Sequence, residues 1–409
     1  MTENHLRRGL PRWTELAPLL RPRPMALRGA PRRLAAAATV ADLRALARRR
    51  TPKAVFDYTD GGAGDEISLA RNREAYGRIE FRPSVLRDVS TVDASTSILG
   101  SPSALPIILA PTGFTRMMHH AGEIAVARAA AGAGIPYTLS TMGTTSAAEL
   151  AAAAPGTRRW FQLYLWRDRE RSLELIGHAG AAGYEALMLT VDTPVAGQRL
   201  RDVRNGMTIP PALTAKTFLD GAMRPWWWVN LLTTRPLEFA SFHSWNGTVA
   251  DLADHMFDPA ATIRDIAWLR EVWPGKLIVK GIQNEEDARA VVDAGADALV
   301  VSNHGGRQLD RAPVPLEELA SVVRAVDGRA EVYVDGGVLS GADAVAAVCL
   351  GADAVLVGRA YLYGLMAGGE PGVRRVLDIL SAEVHRTMQL LGVTSTDELR
   401  AERVRLRPR

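Results

Sequence analysis

Ser302-Asn303-His304-Gly305-Gly306-Arg307-Gln308-Leu309-Asp310 follows directly on the apolar run Ala298 to Val301. An apolar run that gives way to a glycine-rich polar turn reads as a strand entering a βα loop. Side chains just past such a strand point into the mouth of the fold, where chemistry is usually sited. The spacing therefore brings a base, His304, and an anion clamp, Arg307, to one place. Taken alone, the stretch is also met by a plain turn in which His304 bonds a neighbouring carbonyl; recurrence of the same architecture along the chain favours the chemical reading.

Lysine usage singles out a second group. Lys53, Lys216, Lys276 and Lys280 are the only lysines, so 49 minus 4, or 45, of the cations are arginine. Lys280 ends the apolar run Leu277-Ile278-Val279. A compact point charge aimed into a barrel mouth suits a developing anion, whereas a buried stem that snorkels outward is the plainer alternative.

Two further turns, Asp335-Gly336-Gly337 and Gly358-Arg359, follow the last two apolar runs. Loops in those ordinal positions of a (β/α)8 barrel form its usual phosphate site: bare backbone N–H groups approach the anion, and Arg359 adds a bidentate contact. No G-x-G-x-x-G opens a helix after a strand and no Walker sequence is present, so a mononucleotide phosphate is expected rather than a dinucleotide or ATP.

The elements that must position these groups recur in step. Apolar runs end at Ile107 to Pro111, Tyr137 to Ser140, Trp160 to Tyr164, Leu187 to Asp192, Leu277 to Lys280, Ala298 to Ser302, Val332 to Asp335 and Val355 to Gly358. Helical spacing lies between them, as at Asn284 to Ala294, Leu316 to Val326 and Ala342 to Leu350. The pattern predicts an α/β fold, a (β/α)8 TIM barrel with an N-terminal helical extension and a long lid insertion after strand 4; a doubly wound open sheet is the alternative. Gly295-Ala296-Asp297-Ala298 and Gly351-Ala352-Asp353-Ala354, each closing a helix and opening a strand, favour the barrel.

At 409 residues, 47% hydrophobic and 23% charged, the chain buries a large core as one barrel with extensions. We divide it into a basic Pro/Arg-rich arm (1–38), the barrel (39–395, with the insertion at 201–262) and a C-terminal tail (396–409). The single cysteine, Cys349, lies in an apolar helical pattern, so no disulfide framework or Cys-ligated metal is available; a reducing cytoplasm fits. No apolar stretch reaches ~18 residues, and no signal-peptide pattern opens the chain. Neither a metal nor a nucleic-acid partner is expected.

The net charge of +4 is uneven, because residues 1–38 carry eight arginines against Glu3 and Glu15. Such an arm lies irregularly over the body or a neighbouring subunit; attachment to an anionic membrane face is the sharper alternative.

Phe56-Asp57-Tyr58, Ala110-Pro111-Thr112, Phe161-Gln162-Leu163-Tyr164, Leu189-Thr190-Val191-Asp192-Thr193-Pro194, Val279-Lys280-Gly281, Ser302 to Asp310 and Asp335-Gly336-Gly337 together carry a specific resemblance. From about Thr39 to about Leu391 the chain resembles the FMN-dependent α-hydroxy acid dehydrogenase and oxidase family, most closely its bacterial L-lactate dehydrogenases of the quinone or cytochrome type. The resemblance implies FMN across the barrel mouth, its phosphate on the turns Asp335-Gly336-Gly337 and Gly358-Arg359. It places Pro111, Thr112, Gly113, Ser140, Gln162, Thr190 and Ser302 around the flavin, and Lys280 at the N1 and O2 edge. It also implies a substrate carboxylate between Arg307, Arg199 and Tyr58, its hydroxyl near Tyr164 and His304, with His304 taking a proton and Asp192 stabilising the imidazolium.

The implied activity is oxidation of an L-2-hydroxy acid, L-lactate foremost, with electrons passing to an external quinone, cytochrome or oxygen. A homotetramer and a peripheral contact with the inner face of the cell membrane are implied as well. The chain departs from the family pattern at Leu339, where an arginine usually contacts the phosphate. It departs also at Gly113, where many members have alanine, and at Met142, where glycolate oxidases carry tryptophan.

Arg201 to roughly Thr262, with Trp226-Trp227-Trp228, exceeds an ordinary βα loop and reads as a lid; the tryptophans pack it on the barrel or a neighbour, or meet a membrane or quinone. His5 is the only histidine before the barrel and no Cys-x-x-Cys-His is present, so no haem is carried in the chain. Two rival readings stand: a family member that modifies peptide-derived cofactors, and a non-catalytic phosphate-binding barrel.

Overall fold

The computed structural model describes residues 12–17, 29–206, 223–240 and 256–408. Eight short parallel strands close into a ring: β1 (Ile107–Leu109), β2 (Tyr137–Ser140), β3 (Arg159–Leu163), β4 (Ala186–Thr190), β5 (Lys276–Ile282), β6 (Ala298–Val301), β7 (Glu331–Val334) and β8 (Ala354–Val357). Neighbours follow chain order, and β8 seals the ring on β1 with Val355 opposite Ile107, Leu356 opposite Ile108 and Val357 opposite Leu109. Closure settles the fold as the expected (β/α)8 barrel and excludes the open sheet.

Alternation along each strand separates two cores. Ile108, Trp160, Met188, Ile278, Val300, Tyr333 and Leu356 fill the barrel interior, where the rings of Trp160 and Tyr333 stack at 6.2 Å. Ile107, Leu109, Leu187, Leu189, Val279 and Val301 face the helices. Each such fully buried aliphatic contributes about 1.5–3 kcal/mol of transfer free energy. A hairpin of Thr96–Ile98 with Ser101–Ser103 closes the amino end of the barrel by inserting Ile98 into the interior cluster.

The N-terminal extension is helical as expected. Helix Val40–Arg50 begins at a capping box of Thr39 with Asp42 and is followed by helices Lys53–Asp60 and Ile67–Gly77, which reach the carboxyl mouth. The final helix, Arg359–Leu391, is interrupted by non-helical backbone at Gly368 and Gly369, and packs on helix Val40–Arg50. The segment expected as a tail is built into the fold: Val404–Leu406 pairs antiparallel with Ile79–Phe81. Cys349 is buried in helix Gly341–Cys349, and burial pushes its thiol up to about 12, which makes it unreactive.

Parts of the insertion are described. Helix Leu200–Asn205 leaves β4, and helix Pro225–Leu232 docks through Trp227, whose indole N–H donates to the Met117 carbonyl at 2.9 Å. Phe239 meets Phe114 edge-on at 4.1 Å between centroids, and the Ala240 N–H donates to the Gly143 carbonyl. Residues 207–222 and 241–255 of the expected lid, and 1–11 and 18–28 of the arm, lie outside the described residues. Among the described residues no helix is long and apolar enough to cross a membrane.

Candidate active site

The alternation that fills the barrel also builds its mouth. Thr112, Gln162, Thr190, Lys280, Ser302, Asp335 and Gly358 each stand two residues beyond an interior side chain: Ala110, Trp160, Met188, Ile278, Val300, Tyr333 and Leu356. Ser140 lies opposite Gln162 in register and donates from Oγ to its Oε1 at 3.0 Å. That bond uses the amide oxygen and leaves the buried Gln162 Nε2 without a protein partner. Thr112 is held by the Tyr361 hydroxyl, 2.6 Å away, which also donates to the Ala110 carbonyl.

Lys280 is not the end of its strand, as the apolar run suggested; β5 continues to Ile282 across an irregularity at Gly281. Its Nζ is buried, 3.1 Å from Asp335 Oδ2 and 2.9 Å from Ser302 Oγ. Burial lowers the Lys280 pKa, but Asp335 and Asp192 outweigh it, leaving it raised and the ammonium charged. Ser302 Oγ in turn accepts from the His304 backbone N–H at 3.0 Å, so one hydroxyl joins the lysine to the histidine turn.

His304 itself adopts φ +58°, a left-handed conformation that costs a residue with a β-carbon about 1–2 kcal/mol. Its Nδ1 lies 2.9 Å from Asp192 Oδ1, and the Asp192 side chain is only 2% exposed. Burial raises the Asp192 pKa, while the charges of His304 and Lys280 and the hydrogen bond hold it below the usual carboxylate value. An ionised carboxylate only accepts, so Nδ1 carries a proton, and in the neutral ring Nε2 is the nitrogen left to accept one. Gly281, at φ +115°, makes the approach of Asp192 possible: a β-carbon there would stand 2.7 Å from Asp192 Cβ.

Two guanidinium groups share one aromatic ring. Arg199 and Arg307 lie 5.2 and 5.0 Å from the centroid of Tyr58. Arg307 also donates to the carbonyls of Tyr58 at 2.6 Å and Gly61 at 3.2 Å, and Arg199 pairs with Asp202 at 2.8 Å. Burial and the charge of Arg199 lower the Arg307 pKa to about 10, the signature of a cation pair that an anion would relieve. Tyr164 is buried beside them, its pKa raised by burial and by the charges of Asp192 and Tyr58. Phe257, from the insertion, packs edge-on against Tyr164 at 5.1 Å.

At the last two turns Gly336 and Gly337 take φ +86° and +93°. Arg359 is committed further than its sequence position suggested: Nε donates to the Thr59 carbonyl, Nη1 to Gly305 and Nη2 to Gly61, leaving two of its five N–H groups for another acceptor. Leu339 brings no charge to the turn; its backbone N–H donates to Asp343, which also pairs with Arg73. Gly113 and Met142 are matched, since a β-carbon on Gly113 would come within 2.9 Å of Met142 Cβ. Pro111, next to Thr112, remains partly exposed at the mouth.

Several supports escaped the sequence reading. Gln308 clamps the Asp192 turn by donating to the carbonyls of Asp192 and Val195 and accepting from the Gly197 N–H. Buried Glu123 holds the turn after β2 by accepting from Thr144 and Thr145. Asn72 and Asn303 pair reciprocally at 2.8 Å. Gln308 and Asn303 stood inside the Ser302 to Asp310 stretch, which was the available signal; Glu123 and Asn72 carried none.

Residues 47–406 match the family model described as FMN-dependent dehydrogenase. The chain is 58% identical over 392 residues to a Mycobacterium tuberculosis protein named “Putative L-lactate dehydrogenase”, covering 96% of this chain and 95% of that one. It is 43% identical over 374 residues to L-lactate dehydrogenase of Caulobacter vibrioides, covering 89% and 97%. Among solved structures, the monotopic membrane protein (S)-mandelate dehydrogenase superposes with a TM-score of 0.87 at 38% identity, covering 91% of this chain and all of that one.

Proposed function

The chain belongs to the FMN-dependent dehydrogenase family, with FMN as its cofactor, and on that premise we propose that it oxidises a short L-2-hydroxy acid, L-lactate, to the 2-oxo acid. The observation that carries this reading is the 2.9 Å contact of His304 with buried Asp192, set in one mouth with the Arg199 and Arg307 guanidiniums over Tyr58. A base with a free Nε2 and a paired cation site match the hydroxyl and carboxylate of such an acid.

The residues present fit the cofactor. The unpartnered Gln162 Nε2 and the charged Lys280 Nζ offer a donor and a cation to a polar heterocycle, and Gly358 is open, a β-carbon there meeting nothing closer than 3.8 Å. Pro111, Thr112, Gly113, Ser140, Gln162, Thr190, Lys280 and Ser302 would hold the ring system and its side chain, and Asp335, Gly336, Gly337, Gly358 and Arg359 the phosphate end. When bound, FMN supplies a two-electron acceptor for the substrate α-carbon.

The protein's own part is binding, orientation and proton handling. Arg307 and Arg199 fix the carboxylate in place and orientation, with Tyr58 stacked beneath them, so the α-carbon is presented in one pose. Tyr164 holds the hydroxyl, and His304 Nε2 takes a proton. Asp192 keeps the ring in the needed tautomer and stabilises the imidazolium.

For the acceptor we favour a membrane quinone, with the protein a homotetramer peripheral on the inner face of the cell membrane. Support for membrane contact comes from helix Pro225–Leu232, which exposes Trp226 (70%), Val229 (50%) and Leu232 (71%) with Met223 just ahead, between Arg224 and Arg235. The exposed pair Val85 and Leu86 supports self-association. The deciding experiment is anaerobic mixing of holoenzyme with L-lactate and with larger 2-hydroxy acids while following flavin absorbance, then a panel of acceptors. Bleaching with L-lactate is expected; flavin that stays oxidised with every 2-hydroxy acid would sink the reading.

A further inference from the structure

Two members of the carboxylate site stand on different parts of the chain: Tyr58, the ring under both guanidiniums, is on helix Lys53–Asp60, and Arg199 immediately precedes helix Leu200–Asn205. Between these helices lies a polar network that the activity does not itself require. Arg201 donates from Nη1 to Asp60 Oδ2 at 3.2 Å and from Nη2 to Glu66 Oε2 at 2.5 Å. Asn205 Nδ2 donates to Asp57 Oδ2 at 2.8 Å, and Lys53 Nζ reaches Asn205 Oδ1 at 3.1 Å.

Asp60 is the node. Its side chain is 6% exposed, and its two oxygens accept from Arg44 Nε and Nη2, the Tyr363 hydroxyl and Arg201. Burial raises its pKa, but Arg44, Tyr363 and Arg201 outweigh that and leave it lowered, so the node stays ionised. Tyr363 sits on the helix opened by Arg359, which itself donates to the Thr59 and Gly61 carbonyls. The end of helix Lys53–Asp60 is therefore fixed from one side by the barrel's last helix, and Arg201 ties the start of the insertion to that fixed point.

We propose that Arg201 and Asp60 form a strut that sets the spacing between Tyr58 and Arg199, making both of them positioning residues for the substrate carboxylate. The inference rests on the proposed 2-hydroxy acid chemistry. Neither residue touches the reacting atoms. Arg201 is two residues beyond Arg199, in the first turn of the helix that Arg199 caps, and a clamp acting through two parallel N–H donors tolerates little displacement. Loss of the strut should weaken carboxylate binding and leave proton transfer at His304 largely as it was.

The test is steady-state kinetics of the FMN-loaded enzyme with L-lactate, with oxalate titrated separately and followed by flavin absorbance. Arg201→Gln should raise KM and the oxalate Kd about tenfold with kcat within about twofold and flavin content unchanged, and Arg201→Lys should recover much of the loss. If Arg201→Gln is recovered without flavin, Glu66→Gln, which removes only the outer charge, carries the comparison with about a threefold rise in KM. Unchanged KM and oxalate affinity, or a fall in kcat with KM intact, would overturn the strut. A wild-type enzyme that bleaches with no hydroxy acid would instead overturn the function on which it rests.

Discussion

Asp192 and His304, 112 residues apart in the chain, meet at 2.9 Å, and the carboxylate oxygen facing away, Oδ2, is buried without a partner. An unsatisfied carboxylate oxygen beside a strained histidine is costly to keep, and the charge that stays on Asp192 is what stabilises an imidazolium formed transiently at His304. His304→Gln should leave FMN bound and abolish flavin reduction by L-lactate. Asp192→Asn, which keeps the shape and loses the charge, should slow reduction by roughly 10²–10⁴-fold. Stopped-flow absorbance measures both, and reduction at the wild-type rate in either variant removes that residue from its role.

Gly281 allows the pair to exist, which gives a second test at a residue with no chemistry of its own. Gly281→Ala places a methyl 2.7 Å from Asp192 Cβ at a φ of +115°. Asp192 must retreat from His304, so kcat should fall at least about tenfold with the protein still folded. Wild-type kcat would show that the approach is not needed.

A third prediction concerns stability and pH. Asp297 and Asp353 occupy equivalent places, each accepting from the backbone N–H of a neighbouring strand: Leu277 at 2.8 Å for Asp297, Val332 at 2.7 Å for Asp353. Burial raises the pKa of both. In Asp297 the Leu277 N–H, Lys276 and Arg270 outweigh it and leave the value lowered, whereas Asp353 has Glu331 for a neighbour and stays raised. The stabilisation from Asp297 is therefore present above its unfolded value of about 4 and is lost as pH falls through its folded value. For Asp353 the sign reverses: its ionised form becomes a cost as pH rises above the unfolded value. At pH 7 Asp297→Asn should lower Tm by about 2–4 °C, and Asp353→Asn should leave it equal or higher. Equal losses in the two variants would refute the assignment.

Membrane contact through helix Pro225–Leu232 is tested by partition. Trp226→Ser with Leu232→Ser should move the protein from vesicles containing anionic lipid to the supernatant at low salt, with lactate oxidation by a soluble acceptor unchanged. Equal sedimentation of variant and wild type would exclude this face.

Most of the mouth was legible in the sequence, and the reason is local. Strand alternation has a period of two, so once Trp160, Ile278 or Val300 is read as interior, Gln162, Lys280 and Ser302 must face the same way. Glycine turns mark where each strand stops. The course of β5 past Lys280 was not legible, because the irregularity at Gly281 answers to Asp192 from the turn after β4. Nor was the role of Val404–Leu406, whose hydrogen bonds go to residues Ile79–Phe81 at the far end of the chain.

The amino-acid order by itself determined the barrel, the inward set of side chains and the acid–base and cation types delivered to one rim, since periodicity and turn chemistry act over a few residues. Partnership was decided only by the tertiary structure. The same Gly-Ala-Asp-Ala segment gives one carboxylate a lowered pKa and the other a raised one, and three of the N–H groups of Arg359 are spent on carbonyls that its sequence neighbours do not reveal. Hydrogen bonds and Coulomb interactions depend on distances of a few ångströms, and only folding brings groups hundreds of residues apart within that range.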